Sequence, residues 1–163
     1  MGARYDVMAK LVGDRVSKVV REKLGASYGF SAEANTLRGR AAYLTLRGAV
    51  DNTHLAKALD AVKQAFAGLE QGQFGPGEVD FARWRVANHY AVGFTTSADI
   101  VAAILKARNE DRDPKAIDAY PNEIIGVTPD ALKADFARCT TAPVISLVGD
   151  ETTVRAAIAE AWP

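Results

Sequence analysis

The chain holds two histidines, His54 and His89, and one cysteine, Cys139. The histidines are far apart. They do not form the H-x-x-E-H or H-x-x-x-H spacing that places two imidazoles on one helix face for zinc. His54 falls in the first turn of a helix and reads as solvated; His89 reads as a surface or boundary residue. A single cysteine excludes an internal disulfide and a multi-cysteine zinc site. Cys139 lies at a helix end beside Arg138, whose positive charge is expected to lower the thiol pKa. No base is visible in the sequence to make it a nucleophile, and as a small half-buried residue it needs none. There is no G-x-S-x-G, P-loop or G-x-G-x-x-G run. Gly75-Pro76-Gly77 is a turn. Trp84 and Trp162 read as packing residues. Arg83, Trp84 and Arg85 are consecutive on a helix, so they point in different directions and make no single basic patch.

The informative stretch is Arg21-Glu22-Lys23-Leu24-Gly25-Ala26-Ser27-Tyr28-Gly29-Phe30. A helix ends here, turns at Gly25 and enters a strand at Tyr28. A guanidinium on a last helical turn and a phenol opening a strand can both donate to one carbonyl oxygen. A plain structural account also fits. Arg21 can complement the helix C-terminal dipole, and Tyr28 can pack within a hairpin. Residue types and spacing leave both accounts open.

The elements that must position this corner follow from periodicity. Met8, Val12, Val16 and Val19, with Leu11 and Val20, recur at helical spacing and predict a helix from about Arg4 to Lys23. Gly13 weakens it by about 1 kcal/mol against alanine, and Gly25 ends it. Apolar–polar alternation over Tyr28–Ala34 and Ala42–Arg47 predicts an antiparallel hairpin with a polar turn through Asn35–Arg40. Asp51 or Asn52 caps a second helix whose apolar face is Leu55, Leu59, Val62, Phe66 and Leu69. Further helices are expected at about Glu78–Val92, from Thr95-Thr96-Ser97 through Leu105, and at Ala116–Ala119, interrupted by Pro121. Another follows at Pro129–Cys139, with proline at N1. Val144–Val148 reads as a buried strand, and Thr153–Ala161 as a last helix. The class is α+β, an antiparallel sheet with helices on one face, in the order α-β-β-α-α-α-α-β-α.

The chain has 163 residues, 20 basic and 20 acidic side chains, and no net charge. This fits one domain over residues 1–163. It argues against a broad nucleic-acid surface. No apolar run reaches the roughly 20 residues of a spanning helix. The composition selects no compartment.

Residues Leu11–Tyr28, and the R-E-K-L-G-x-x-Y run within them, resemble the helix-to-strand corner of the insulinase/pitrilysin family of zinc peptidases. The resemblance is to the non-catalytic C-terminal half. It continues through Ala58–Val62, the Gly75–Val79 helix start and Val148-Gly149-Asp150. It implies a clamshell of two α+β halves closing on a peptide substrate. Zinc and the general-base Glu would then lie in a partner half, in cis or on another subunit, and this chain would hold no metal. By the same resemblance Arg21 and Tyr28 would bind the scissile carbonyl and steady the oxyanion, and the reaction would be hydrolysis by a zinc-activated water. The isolated chain is expected to be inactive. The family's domain has a further strand before this point, so the sheet is expected to lack an N-terminal strand. Some relatives are scaffold or processing-complex subunits, which makes a structural or assembly role the alternative.

Overall fold

Helix α1 spans Ala3–Leu24 in the computed structural model, which describes residues 2–25, 29–37, 41–109, 111–139 and 143–162. Val7, Met8, Leu11, Val12, Val16 and Val20 form one buried stripe along it, the arrangement expected of a helix packed on a core. Gly25 ends the helix in the left-handed region, with φ 64°, and its N–H bonds the Arg21 carbonyl at 3.0 Å. Gly13 has a positive use as well as a cost. A Cβ there would lie 3.1 Å from the Ala32 amide nitrogen, so glycine lets α1 lie close against the first strand.

That strand, β1 (Phe30–Leu37), pairs antiparallel with β2 (Ala41–Gly48), Phe30 opposite Gly48 and Ala34 opposite Leu44. Phe30, Ala32, Leu44 and Leu46 pack toward the helical core. Ser31, Glu33, Tyr43 and Arg47 are exposed. The hairpin is longer than its composition suggests. Asn35, Thr36 and Leu37 pair with Tyr43, Ala42 and Ala41, although residues 35–37 read as turn. Packing of one face overrides the weak strand propensity of asparagine. Tyr28 lies outside the described residues.

A 3₁₀ turn at Asn52–His54 leads into α2 (Leu55–Glu70). There follow α3 (Glu78–Val92), α4 (Ser97–Asn109), α5 (Ala116–Ile125), α6 (Pro129–Cys139) and α7 (Glu151–Ala161). The α+β class and the succession of elements are as expected. The α1 stripe meets Leu69 of α2, Val79 and Ala82 of α3, Ile124 of α5, and Leu132 and Phe136 of α6 in one core. Helix α7 adds a small satellite, Ala157 and Ala161 against Leu59.

Three local expectations are corrected. Pro121 sits inside α5 rather than interrupting it. Proline withholds the N–H that would bond the Ile117 carbonyl; the Tyr90 hydroxyl donates to that carbonyl instead, at 2.7 Å. Trp84 does not pack inside. It is 61% exposed and stacks on Phe81 at 5.9 Å. Val144–Val148 occupies its expected place between α6 and α7, but it is neither buried nor paired. The sheet among the described residues is β1–β2 alone. Leu147 packs beside Leu59 and Ala157, on α2 and α7, away from the hairpin.

Candidate functional site

The Arg21 corner is anchored by Ser17. Its hydroxyl donates to the Phe30 carbonyl at 2.9 Å and accepts the Phe30 N–H at 3.2 Å. One side chain thus ties the start of β1 to α1. Arg21 is one turn further on the same helix face. It is exposed, and its guanidinium has no hydrogen-bond or ion-pair partner among the described residues. The other arginines of α1 are engaged. Arg4 pairs with the buried carboxylate of Asp135, which also meets Arg138. Arg15 grips Glu78 through two nitrogens, one at 2.8 Å, and donates to the Gln73 carbonyl at 2.8 Å. Burial alone would raise the Glu78 pKa. The Arg15 hydrogen bonds and charge, with the Gly75 N–H, outweigh it and hold the carboxyl below its ordinary value. Arg21 is therefore the guanidinium of α1 left available for something outside the chain's described residues. Tyr28, its companion by sequence, is outside those residues, and no pair geometry follows.

A second concave region was not visible in the sequence. A cleft of about 580 Å³ opens between the first half of α1, β1, α3, α4 and α5. Tyr5, Asp6, Lys10, Glu33, His89, Tyr90 and Tyr120 are among its lining residues. The Tyr90 and Tyr120 rings lie 4.5 Å apart. The Tyr120 hydroxyl donates to Asp6. Burial first, and then the Asp6 charge, push the Tyr120 phenol far above its ordinary value. It is a fixed hydrogen-bond donor and not a base. Arg21 does not line this cleft. It lies 11 residues beyond Lys10 on α1, roughly 16 Å along the axis at about 1.5 Å per residue. The corner and the cleft are separate places. Asp6 and Tyr120 are far apart in sequence, and no spacing rule links them.

The remaining candidates are structural. Cys139 is exposed, but its surroundings run against activation. Burial of the thiol, then the charge of Asp135, raise its pKa and outweigh Arg138; the lowering expected from Arg138 alone is not found. His54 bonds the Asp51 carboxylate at 2.7 Å at the entrance to α2. Arg83 donates to the carbonyls of Ile125 and Val127, whereas Arg85 pairs with Asp14 at 2.6 Å, so the two do point apart. Among the described residues, no three His, Cys, Asp or Glu side chains come together to hold a metal ion. No described helix is long and apolar enough to cross a membrane. Compared with models of known protein families and with curated proteins, the chain matches none.

Proposed function

We propose that the chain is the substrate-binding, non-metal half of a zinc metallopeptidase of the insulinase type, closing on a peptide together with a zinc-bearing half. The observation that carries this reading is Arg21. It is an exposed, unengaged guanidinium on the last turn of a helix whose other arginines are all in use, one turn from the Ser17 anchor of β1. A donor held on a rigid helix end suits a carbonyl oxygen that gains charge during attack. Tyr28 is the second donor of this reading, on the strength of the sequence. The metal and the general base belong to the other half.

The test uses the chain assembled with a half that encodes H-x-x-E-H, from the same reading frame or a neighbouring one. Arg21→Ala lowers turnover by about 10²–10³-fold, the usual loss for one oxyanion donor. Zinc content and melting temperature stay unchanged. Arg21→Lys restores only part, because an ammonium lacks the planar fork. Unchanged turnover with Arg21→Ala overturns the reading.

A second reading, an assembly subunit without catalytic donors, is favoured by α4. Ile100, Val101, Ile104 and Leu105 form an exposed apolar face on it. On this reading Arg21→Ala is silent, and Ile104→Glu releases the partner half.

A further inference from the structure

Helix α4 is inverted relative to the core it sits beside. Its large aliphatic residues, Ile100, Val101, Ile104 and Leu105, face outward. Ala103, Lys106 and Ala107 line the cleft of about 580 Å³ instead. The inner face of a helix ordinarily carries the large apolar residues. Here it carries two methyl groups and an ammonium. Small side chains leave the space open from four elements: Ala9 of α1, Ala32 and Ala34 of β1, Ala103 and Ala107 of α4, and Ala116 of α5 all line it. A cleft of this volume is of the size that holds a small molecule.

The lining says what kind of molecule. Most of its charged groups are already engaged. Lys10 and Arg85 both pair with Asp14, at 3.3 and 2.6 Å, and Arg112 pairs with Glu123 at 2.6 Å. Asp6 accepts from the Tyr120 hydroxyl. Lys106 and His89, in contrast, have no partner for their side chains among the described residues. The aromatic wall is rigid. The Tyr90 and Tyr120 hydroxyls are held by the Ile117 carbonyl and by Asp6, and the Phe94 ring braces Tyr90 edge-on at 4.7 Å. A flat ring is therefore the body that fits, since aromatic pairs add to the burial of apolar area. Lys106 supplies one unspent positive charge. That matches a carboxylate, whereas a phosphate, with a charge near −2, would be left half compensated. We propose that the cleft binds a small aromatic carboxylate, its ring against Tyr90 and Tyr120 and its carboxylate on Lys106 and His89. This site does not depend on the peptidase reading, because Arg21 lies outside it.

The experiment titrates the whole protein, every encoded residue in place, so that a segment of the chain filling the cleft reads as absence of binding. The probes are 1-naphthylacetate and 2-(1-naphthyl)ethanol, which share a ring and differ in charge. Binding is followed by calorimetry. The acid binds at one site per chain and more tightly than the alcohol. Lys106→Met weakens the acid by about 10- to 100-fold, the usual loss of a hydrogen bond to a charged group, and leaves the alcohol unchanged. Ala103→Phe fills the cleft and blocks both probes. Neither substitution moves the melting temperature by more than a degree or two, because Lys106 is exposed and unpaired and the added ring enters open space. No binding of the acid, equal affinity for acid and alcohol, acid binding unaffected by Lys106→Met, or probes that still bind with Ala103→Phe overturns the proposal.

Discussion

Helices α1 and α4 carry apolar residues at the same three- and four-residue spacing, and they meet opposite fates. On α1 the stripe from Val7 to Val20 is sealed by β1, α2, α3, α5 and α6. On α4, Ala107 is buried while Ile100, Val101, Ile104 and Leu105 face outward, and the principal neighbour is α5. Periodicity reports that a helix has an apolar face. It does not report whether this chain supplies the cover. Stability should therefore be concentrated around α1, and α4 should tolerate change.

The largest expected effect lies where α6 closes the α1 core. Phe136 is fully buried there. Phe136→Ala should cost about 3–5 kcal/mol, the transfer loss plus a residual cavity, measured by urea denaturation. A loss below about 1 kcal/mol would mean that α6 is not seated on α1 as described.

Next comes the junction of α1 with α5. Tyr120→Phe removes the hydroxyl that donates to Asp6, and should cost about 1–3 kcal/mol. The pH dependence has a definite sign. The folded Tyr120 pKa is raised, first by burial and then by the Asp6 charge. Its contribution is full below the unfolded value of about 10 and is lost as pH rises beyond it. The variant should lose part of the alkaline decline in stability. An alkaline limb identical in both proteins would remove Tyr120 as its source.

The Arg15–Glu78 contact, which ties α1 to the start of α3, acts at the other end of the scale. Its folded Glu78 pKa is lowered. That contribution is present above the unfolded value of about 4.3 and is lost as pH falls through the folded value. Glu78→Gln should flatten the acid limb and leave the alkaline one alone. Thermal melts between acid and neutral pH read this directly.

The same contrast explains how much was legible in the sequence. Local signals located α1, its stop at Gly25 and the hairpin, because each depends on residues within a few positions. Rules failed where something beyond the adjacent residues decided the outcome. Pro121 stays helical because Tyr90 takes the orphaned Ile117 carbonyl. Cys139 is not activated, because burial and Asp135 outweigh the adjacent Arg138. Val144–Val148 has the composition of a buried strand, but a ladder needs a partner that no local pattern supplies. At the candidate site, the helix-end position of Arg21 was readable from Gly25 alone. The cleft was not, since Asp6, Tyr90 and Tyr120 converge from three separate helices.

A smaller effect is expected at Ser17. Ser17→Ala removes both bonds to Phe30, a loss of about 0.5–1.5 kcal/mol for a partly exposed hydrogen bond. If the proposed peptidase reading holds, it should also lower the turnover of the assembled halves, because β1 is no longer pinned beside the Arg21 turn. That turnover loss should disappear in an Arg21→Ala background if Ser17 acts through Arg21. Additive losses would show that it acts elsewhere.

The smallest effect is the sharpest test of the opening contrast. Leu105→Ser changes a side chain on α4 that is 58% exposed. Exposed substitutions away from caps and networks usually fall within about 0.5 kcal/mol. Leucine and serine differ in helix propensity by no more than a few tenths of a kcal/mol. The cap of α4 is not involved: Asp99 accepts from the Thr96 N–H and from both threonine hydroxyls, at the far end of the helix. Little apolar area is transferred on folding, so little can be lost. A cost above about 2 kcal/mol in the isolated chain would mean that the α4 face is covered there, and the distinction between α1 and α4 would fall. Near-neutral behaviour in the isolated chain, with a clear loss only in an assembly, would place the missing cover on a partner.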